Sequence, residues 1–426
     1  MNIRSQTRTG GRDATDKRIM GNVALAVNHP GTAAPKGWQW LPLTSVARME
    51  SGHTPSRKKA EYWGGDIPWV GIKDAKKANG ATIHETLETT NALGIAHSSA
   101  RVLPAGTVCL SRTASVGYVA KMGRAMATSQ DFANWVCSDR LDPDFLRLLF
   151  IAEGSAFSRF SSGSVHQTIY YPELKAFHVC IPSLEEQKRI VAVLDQAFAA
   201  LDRARAHAEA NLADAEELFQ AFKATLMEHP EGFAEEVSLA EVASIETKLV
   251  DPREPLHLDL PHVGAGNMIT GSDTLVDVLT AREEALKSGK HPFDSQTVLY
   301  SKIRPYLMKV ARPNFCGLCS ADVYPLTPST KMDRNYLFHL LLSAHFTDYA
   351  ISGSDRAGMP KVNRNHLFSY KFALPEIDMQ RDISARIDSA MQLRQSLVDA
   401  FSTKLDDIAD LRQSLLQKAF SGQLNT

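Results

Sequence analysis

The chain has 426 residues, enough for two or three domains. Its apolar fraction of 44% and charged fraction of 22% fit a soluble globular protein, and no apolar run nears the ~20 residues that span a bilayer. A formal net charge of -1 gives no whole-chain pull toward nucleic acid; five scattered cysteines and the lack of a signal-peptide core lead us to expect a cytoplasmic location and no membrane partner.

Residues 1–36 are rich in Arg, Thr, Gly and Asp without a sustained period. They read as a flexible leader, with a short helix or strand at 19–27. A first domain is expected over 37–182, opening at Gly37-Trp38-Gln39-Trp40. It should carry a short helix at 43–49 capped by Thr44, loop chemistry at 51–57, and a strand emerging from Tyr62-Trp63-Gly64-Gly65 toward Val70. Short strands follow at 107–111, 116–120 and 132–137. Asp142-Pro143-Asp144 starts a helix through Ile151, with Pro143 in its first turn, and 175–181 is a last strand.

A long helix is expected over 183–229. Val191, Leu194, Phe198, Leu201, Ala208, Leu212, Ala215, Phe219, Phe222 and Leu226 form a coiled-coil seam interrupted only by Arg205. Ser183 and Glu186 have capping-box spacing, and His229-Pro230-Glu231-Gly232 stops the helix. At roughly 1.5 Å per residue it would reach on the order of 70 Å, too long for the core helix of one compact domain. A second domain is expected over 230–375, with a helix at 333–343. A second long helix is expected over 376–426, with the seam Ile383, Ile387, Ala390, Leu397, Phe401, Leu405, Ile408, Leu411 and Leu415.

The two halves repeat each other. Pro182, Gln187 and Ile190 fall on Pro375, Gln380 and Ile383, and Leu218 and Gln220 on Leu411 and Gln413. Upstream, Thr107-Val108-Cys109-Leu110-Ser111-Arg112 resembles Thr297-Val298-Leu299-Tyr300-Ser301-Lys302, and Ser129-Gln130-Asp131 resembles Ser320-Ala321-Asp322. The period is too long for a solenoid unit, so a tandem duplication of a domain plus its helix is the simpler reading.

No catalytic motif emerges. Ser288-Gly289-Lys290-His291 lacks the upstream glycine of a phosphate loop, and Gly264-Ala265-Gly266 lacks the third glycine of a dinucleotide fingerprint. Neither a Gly-x-Ser-x-Gly elbow nor an Asp- or Asn-Pro-Pro-Tyr stretch occurs. Cys316-Gly317-Leu318-Cys319 has metal spacing but too few ligands, and simple burial is expected for it.

What remains is polar and aromatic loop chemistry. In the first domain the candidates are His53, Ser56, Arg57, Lys58, Tyr62, Trp63, Lys73, Arg112, Ser115, Gln130, Ser164, His166 and Gln167. In the second they are Lys302, Arg304, Tyr306, Lys309, Arg356, Lys361, Asn363 and Arg364. Arg and Lys suit phosphates and guanine edges, and Gln and Asn suit adenine. For any one of them a solvated surface group or a loop hydrogen bond is the plainer reading. The Trp63 to Trp69 run reads more simply as a packed corner than as a stacking platform.

The stretch from Pro182 to Val191 and its copy from Pro375 to Ile383 resemble the specificity (S) subunit of type I restriction–modification systems. Gly37-Trp38-Gln39-Trp40-Leu41-Pro42-Leu43, Ser51-Gly52-His53-Thr54-Pro55 and the run from Leu411 to Leu424 carry the same resemblance, which covers nearly everything after Lys36. Met379 stands where the first copy has an acid, and Asp382 where it has Arg189. The resemblance implies an α+β fold: two similar globular α/β target-recognition domains, each followed by a long helix, the helices pairing as an antiparallel coiled coil. It implies a non-catalytic subunit that reads a bipartite, asymmetric site in double-stranded DNA. The expected partners are modification (methyltransferase) subunits, two copies, and restriction (translocase/nuclease) subunits. No metal or cofactor is expected in this chain; S-adenosylmethionine, ATP and Mg are expected on the partners. Two other readings stay open: a non-DNA scaffold with two ligand-binding domains on a coiled-coil stalk, and a DNA-cleaving enzyme with an unrecognised site.

Overall fold

The computed structural model describes residues 27, 30–113, 115–162, 167–228, 234–354 and 360–424. Most of the expected leader and the helix stop at 229–232 lie outside them. The chain divides into two compact units, Met1–His207 with Lys404–Thr426, and Ala208–Thr403. Each long helix begins in one unit and ends in the other.

In the first unit, strand Ala47–Ser51 pairs antiparallel with Phe132–Cys137, which pairs with Val108–Ser111, then Val119–Met122 and Thr82–Ile83. A three-stranded sheet of Glu88–Thr90, Trp63–Val70 and Ala127–Thr128 adjoins it in sequence. Helix Pro143–Glu153 packs on the strands through buried Phe145, Leu146, Leu149 and Phe150. Its start is set locally: Asp142 Oδ1 accepts from the Asp144 and Phe145 N–H groups, and Pro143 occupies the first turn, where no N–H is needed. Strands Gln39–Pro42 and His178–Ile181, the first and last of the domain, pair antiparallel and deliver the chain into the long helix.

The expected helix at 43–49 is not formed. A single 3-10 turn, Leu43–Ser45, is followed by strand Ala47–Ser51, whose N–H and C=O groups are taken by Phe132–Cys137. Sheet pairing outweighs local helix preference there.

The second unit repeats the plan on a smaller sheet. Ala243–Ser244, Val323–Pro328, Val298–Ser301 and Val310–Ala311 lie side by side, and Ala234–Ser238 pairs with Lys371–Pro375 before the second long helix. Asp333 caps helix Arg334–Leu341 as Asp142 caps its counterpart.

The long helices run Leu184–Glu228 and Ile377–Phe420. Ser183 Oγ accepts from the Glu186 N–H at 3.4 Å, but the Glu186 carboxylate turns to Arg189 at 2.7 Å, so only half of the expected capping box forms. Within each unit the two helices run antiparallel. In the first unit Arg189 donates to the Leu424 carbonyl at 3.3 Å and Arg412 to Asp202 at 2.6 Å. In the second, Arg394 donates to Glu216 at 2.8 Å and Arg386 lies 5.9 Å from the Phe222 ring.

Two expected seam positions are corrected. Leu397 and Leu411 are 36% and 49% exposed. The guanidinium of Arg394 lies 5.1 Å from the Phe219 ring, and that of Arg412 lies 4.3 Å from Phe198. Each guanidinium lies over an aromatic ring as a cation–π contact, so these arginines take the places the leucines were expected to fill.

Candidate nucleic-acid interface

In the first unit Ser51 lies opposite Ala133, and Ser111 opposite Phe132. Three loops therefore leave the same end of the sheet: 52–59, 112–118 and 129–131. The first crosses the third so closely that a Cβ on Gly52 would come within 1.9 Å of the Ser129 carbonyl oxygen. His53 N donates to Thr128 O at 2.9 Å, and Thr54 Oγ1 donates to the Gln130 side-chain oxygen. Gln130 is exposed, and its amide NH2 makes no hydrogen bond among the described residues.

Arg57 forms a fork-on-fork pair with Glu88 and lies 3.9 Å from the Trp63 ring and 4.8 Å from Trp69. The hydrogen bond to Glu88 holds the Arg57 guanidinium above its ordinary range and the carboxylate below its own. The two indoles meet edge to face at 5.1 Å, and their N–H groups donate to the Ser56 and His53 carbonyls. Trp63-to-Trp69 is thus a packed corner that stiffens the loop carrying His53, Ser56, Arg57 and Lys58. Tyr62 stacks on His97 and its backbone N–H donates to the Lys59 carbonyl of the first loop at 3.1 Å, and Lys73 is an exposed residue of helix Ile72–Lys77.

The second cluster centres on Arg112. Its N–H donates to Asp131 O, and its carbonyl accepts from Ile169 N, both at 2.8 Å. Its guanidinium lies 4.4 Å from the Tyr171 ring, with Nε buried and unbonded. Ser115 turns its carbonyl to the Ser111 hydroxyl, and Gln167 is exposed next to Thr168, whose hydroxyl meets Thr113 at 2.8 Å. Ser164 and His166 lie outside the described residues.

The second unit builds the same node. Lys302 N donates to Asp322 O at 3.0 Å, and Val362 N donates to Lys302 O at 2.8 Å. Asp322 takes Lys361 at 3.0 Å and lies 3.7 Å from Lys302. The Lys361 hydrogen bond lowers the Asp322 pKa, while burial lowers that of Lys302. Lys309 Nζ donates to Ala265 O at 2.5 Å, Arg304 and Tyr306 are exposed, and Arg364 donates to the Ile245 carbonyl at 3.2 Å. Asn363 caps helix Arg364–Phe368 by accepting from His366 N. Its side-chain oxygen is therefore already engaged. Arg356 lies outside the described residues.

Sequence reasoning missed Asp131 and Asp322, whose backbone carbonyls join the loops, and Tyr171. The repeated Ser-x-Asp was the available signal. It also missed the role of the repeated glutamine. Gln187 is fully buried: its side-chain oxygen accepts from Asp142 N at 2.8 Å, and its NH2 donates to the Arg140 and Pro182 carbonyls, both at 3.0 Å. Gln380 does the same with Asp333 N, Lys331 O and Pro375 O at 2.7, 2.9 and 2.8 Å. This bracket fastens the start of each long helix to the capped helix of its domain.

Among the described residues, no group of three or more His, Cys, Asp or Glu side chains could hold a metal. Cys319 is buried as expected, but Cys316 is exposed, because it precedes strand Gly317–Cys319, whose three residues are all buried. No helix among the described residues is long and apolar enough to cross a membrane.

Residues 35–209 match the model of the type I restriction modification DNA specificity domain. The chain is 33% identical over 187 residues to the type I restriction enzyme EcoDI specificity subunit of Escherichia coli, covering 43% of this chain and 40% of that protein. It is 32% identical over 162 residues to the MjaIX specificity subunit of Methanocaldococcus jannaschii, covering 38% of each. The chain thus aligns with about two fifths of the length of these curated relatives. Two solved structures share the fold over 92% of this chain, each at 19% identity. One is the HsdS subunit from Thermoanaerobacter tengcongensis, at a TM-score of 0.61 and 98% of that chain. The other is a chain from a study of complex assembly and conformational transition in a type I R-M system, at 0.70 and 100%. The α+β fold expected from the sequence is the fold these structures have.

Proposed function

We propose that this chain, whose residues 35–209 belong to the type I restriction modification DNA specificity domain family, is the sequence-reading subunit of a type I restriction–modification complex. One observation carries the reading: the node at Arg112, Asp131 and Ile169 is rebuilt at Lys302, Asp322 and Val362 with different side chains around it. Two similar frames with dissimilar loop residues suit a split, asymmetric DNA site. Phosphate contacts from the lysines and arginines set register, and amide and guanidinium groups on the same loops read base edges. In this reading the two domains are 37–182 and 230–375, and the long helices fix the gap between half-sites.

The chain contributes no catalytic group. A methyltransferase partner, two copies, binds S-adenosylmethionine, and a restriction partner uses ATP and Mg to translocate and cleave. The assembly works in the cytoplasm, where its DNA is.

The test is co-expression with the neighbouring methyltransferase gene, followed by binding to the motif found methylated in the host. The complex is expected to bind a bipartite site with an affinity that falls steeply with salt, by about 0.9 log units per log unit of salt for each phosphate neutralised. Methylation or cleavage by the isolated polypeptide, or salt-insensitive binding with no half-site preference, would overturn the reading.

A further inference from the structure

We infer that Tyr306 is a wedge that unstacks one base step in the half-site read by the second unit. The inference rests on the DNA-reading function above and adds a mode of contact to it.

Tyr306 sits at the tip of the loop joining the antiparallel strands Val298–Ser301 and Val310–Ala311, and it is 51% exposed. Its hydroxyl and ring make no hydrogen bond or ring contact among the described residues. The backbone beneath it is held on every side. Arg304 N donates to Pro360 O at 2.8 Å, Leu307 N to Arg304 O and Met308 N to Pro305 O at 2.9 Å, and Gly271 N to Met308 O at 3.1 Å. Pro305 is buried, and the turn Pro305–Leu307 packs against helix Ala344–Ser352.

Two residues flanking the tip, Arg304 and Met308, have φ of 51° and 43°. Side-chain-bearing residues adopt that left-handed conformation only where the surroundings impose it, and such strain concentrates at binding sites. The result is an aromatic ring presented on a preordered support, so little freedom is lost when a ligand meets it.

The surroundings choose the ligand. Lys302, Arg304 and Lys309 lie on the same loop as Tyr306, and Lys361 joins it through the bridge from Ile303; Asp322 takes Lys361 at 3.0 Å and lies 3.7 Å from Lys302. The Arg304 guanidinium has no hydrogen-bond partner among the described residues. An apolar ring ringed by cations fits a duplex: the cations engage phosphates while the ring enters between bases and stacks. Among the described residues, the corresponding loop of the first unit presents no such exposed aromatic ring. In its loop at 112–118, Thr113 is bonded to Thr168 and Val116 packs against the core. Distortion is therefore confined to one half-site, and the other serves as an internal control.

The experiment uses the assembled complex on its methylation-defined site, with 2-aminopurine substituted position by position outside the methylated base of each half-site, whose extrusion by the methyltransferase partners would itself raise the fluorescence. The wild-type complex is expected to bind with a fluorescence rise at one position of the second unit's half-site and none in the other half. Tyr306→Ala should lose that rise and bind about 5- to 50-fold more weakly, while Tyr306→Phe keeps both. Binding without any such rise overturns the wedge alone. So does a rise that survives Tyr306→Ala, or a Tyr306→Ala defect confined to complex assembly. A wild-type complex that binds no bipartite site overturns the DNA reader, and the wedge with it.

Discussion

A glutamine can accept from one backbone N–H and donate to two carbonyls from a single planar carboxamide head, at a reach one methylene longer than asparagine's. That is what Gln187 and Gln380 do in their respective units. Substitution by leucine removes all three hydrogen bonds, one of them fully buried, and is expected to destabilise the affected unit by about 1–3 kcal/mol in denaturant unfolding. Glutamate should be worse than leucine, because its carboxylate would face two carbonyl oxygens. If Gln187→Glu unfolds at the wild-type midpoint, the bracket is not what holds the helix.

His339 and Asp388 are a second matter of single residues. His339 is fully buried, and its Nε2 meets Asp388 Oδ1 at 2.8 Å; Arg312 reaches the same carboxylate at 2.6 Å and Asp273 at 2.7 Å. Burial lowers the His339 pKa and outweighs the pull of Asp388. Burial also pushes Asp388 up, but hydrogen bonds from His339 and Arg312 outweigh it and leave Asp388 at about 2. Both shifts have one sign: the unfolded chain binds more protons. The histidine therefore costs stability as pH falls below its unfolded value of about 6.5, and the aspartate contribution, full above about 4, is lost toward pH 2. The second unit should unfold more readily at pH 5 than at pH 7. His339→Gln should flatten that difference, as thermal melts across the range would show.

At the scale of elements, each domain is closed by pairing its first and last strands, Gln39–Pro42 with His178–Ile181 and Ala234–Ser238 with Lys371–Pro375. The strand that enters the helix is thereby fixed, and the glutamine bracket fixes the helix's first turn. Arg394 over Phe219 and Arg412 over Phe198 then seat the partner helix. On the proposed function, deleting one heptad from Leu184–Glu228 should change the gap between methylated half-sites and leave the bases read unchanged. An unaltered gap in the methylome of such a strain would refute a helical ruler.

At the scale of the whole molecule, the two units carry similar frames with different loop residues. Gln130 has Ala321 as its counterpart, and Arg112 has Lys302. On the proposed function, replacing 237–374 with the corresponding segment of another such protein is expected to change one half of the methylated motif only. A change in both halves would show that the frames do not read independently.

The long helices and the repeat were legible in the sequence, because they rest on spacing between near neighbours and on matching runs of residues, whereas the antiparallel direction of the helices was only what the family resemblance implied. The capped helices at Asp142 and Asp333 were legible for the same reason. Other features waited for the tertiary structure. That 43–49 yields to a strand depends on Phe132–Cys137, far along the chain. That Leu411 faces outward while Arg412 crosses the seam depends on Phe198. The site was legible only as residue types. Which loops share one end of a sheet is fixed by contacts such as Arg112 with Asp131 and Ile169, and no local pattern encodes a hydrogen bond between residues so far apart.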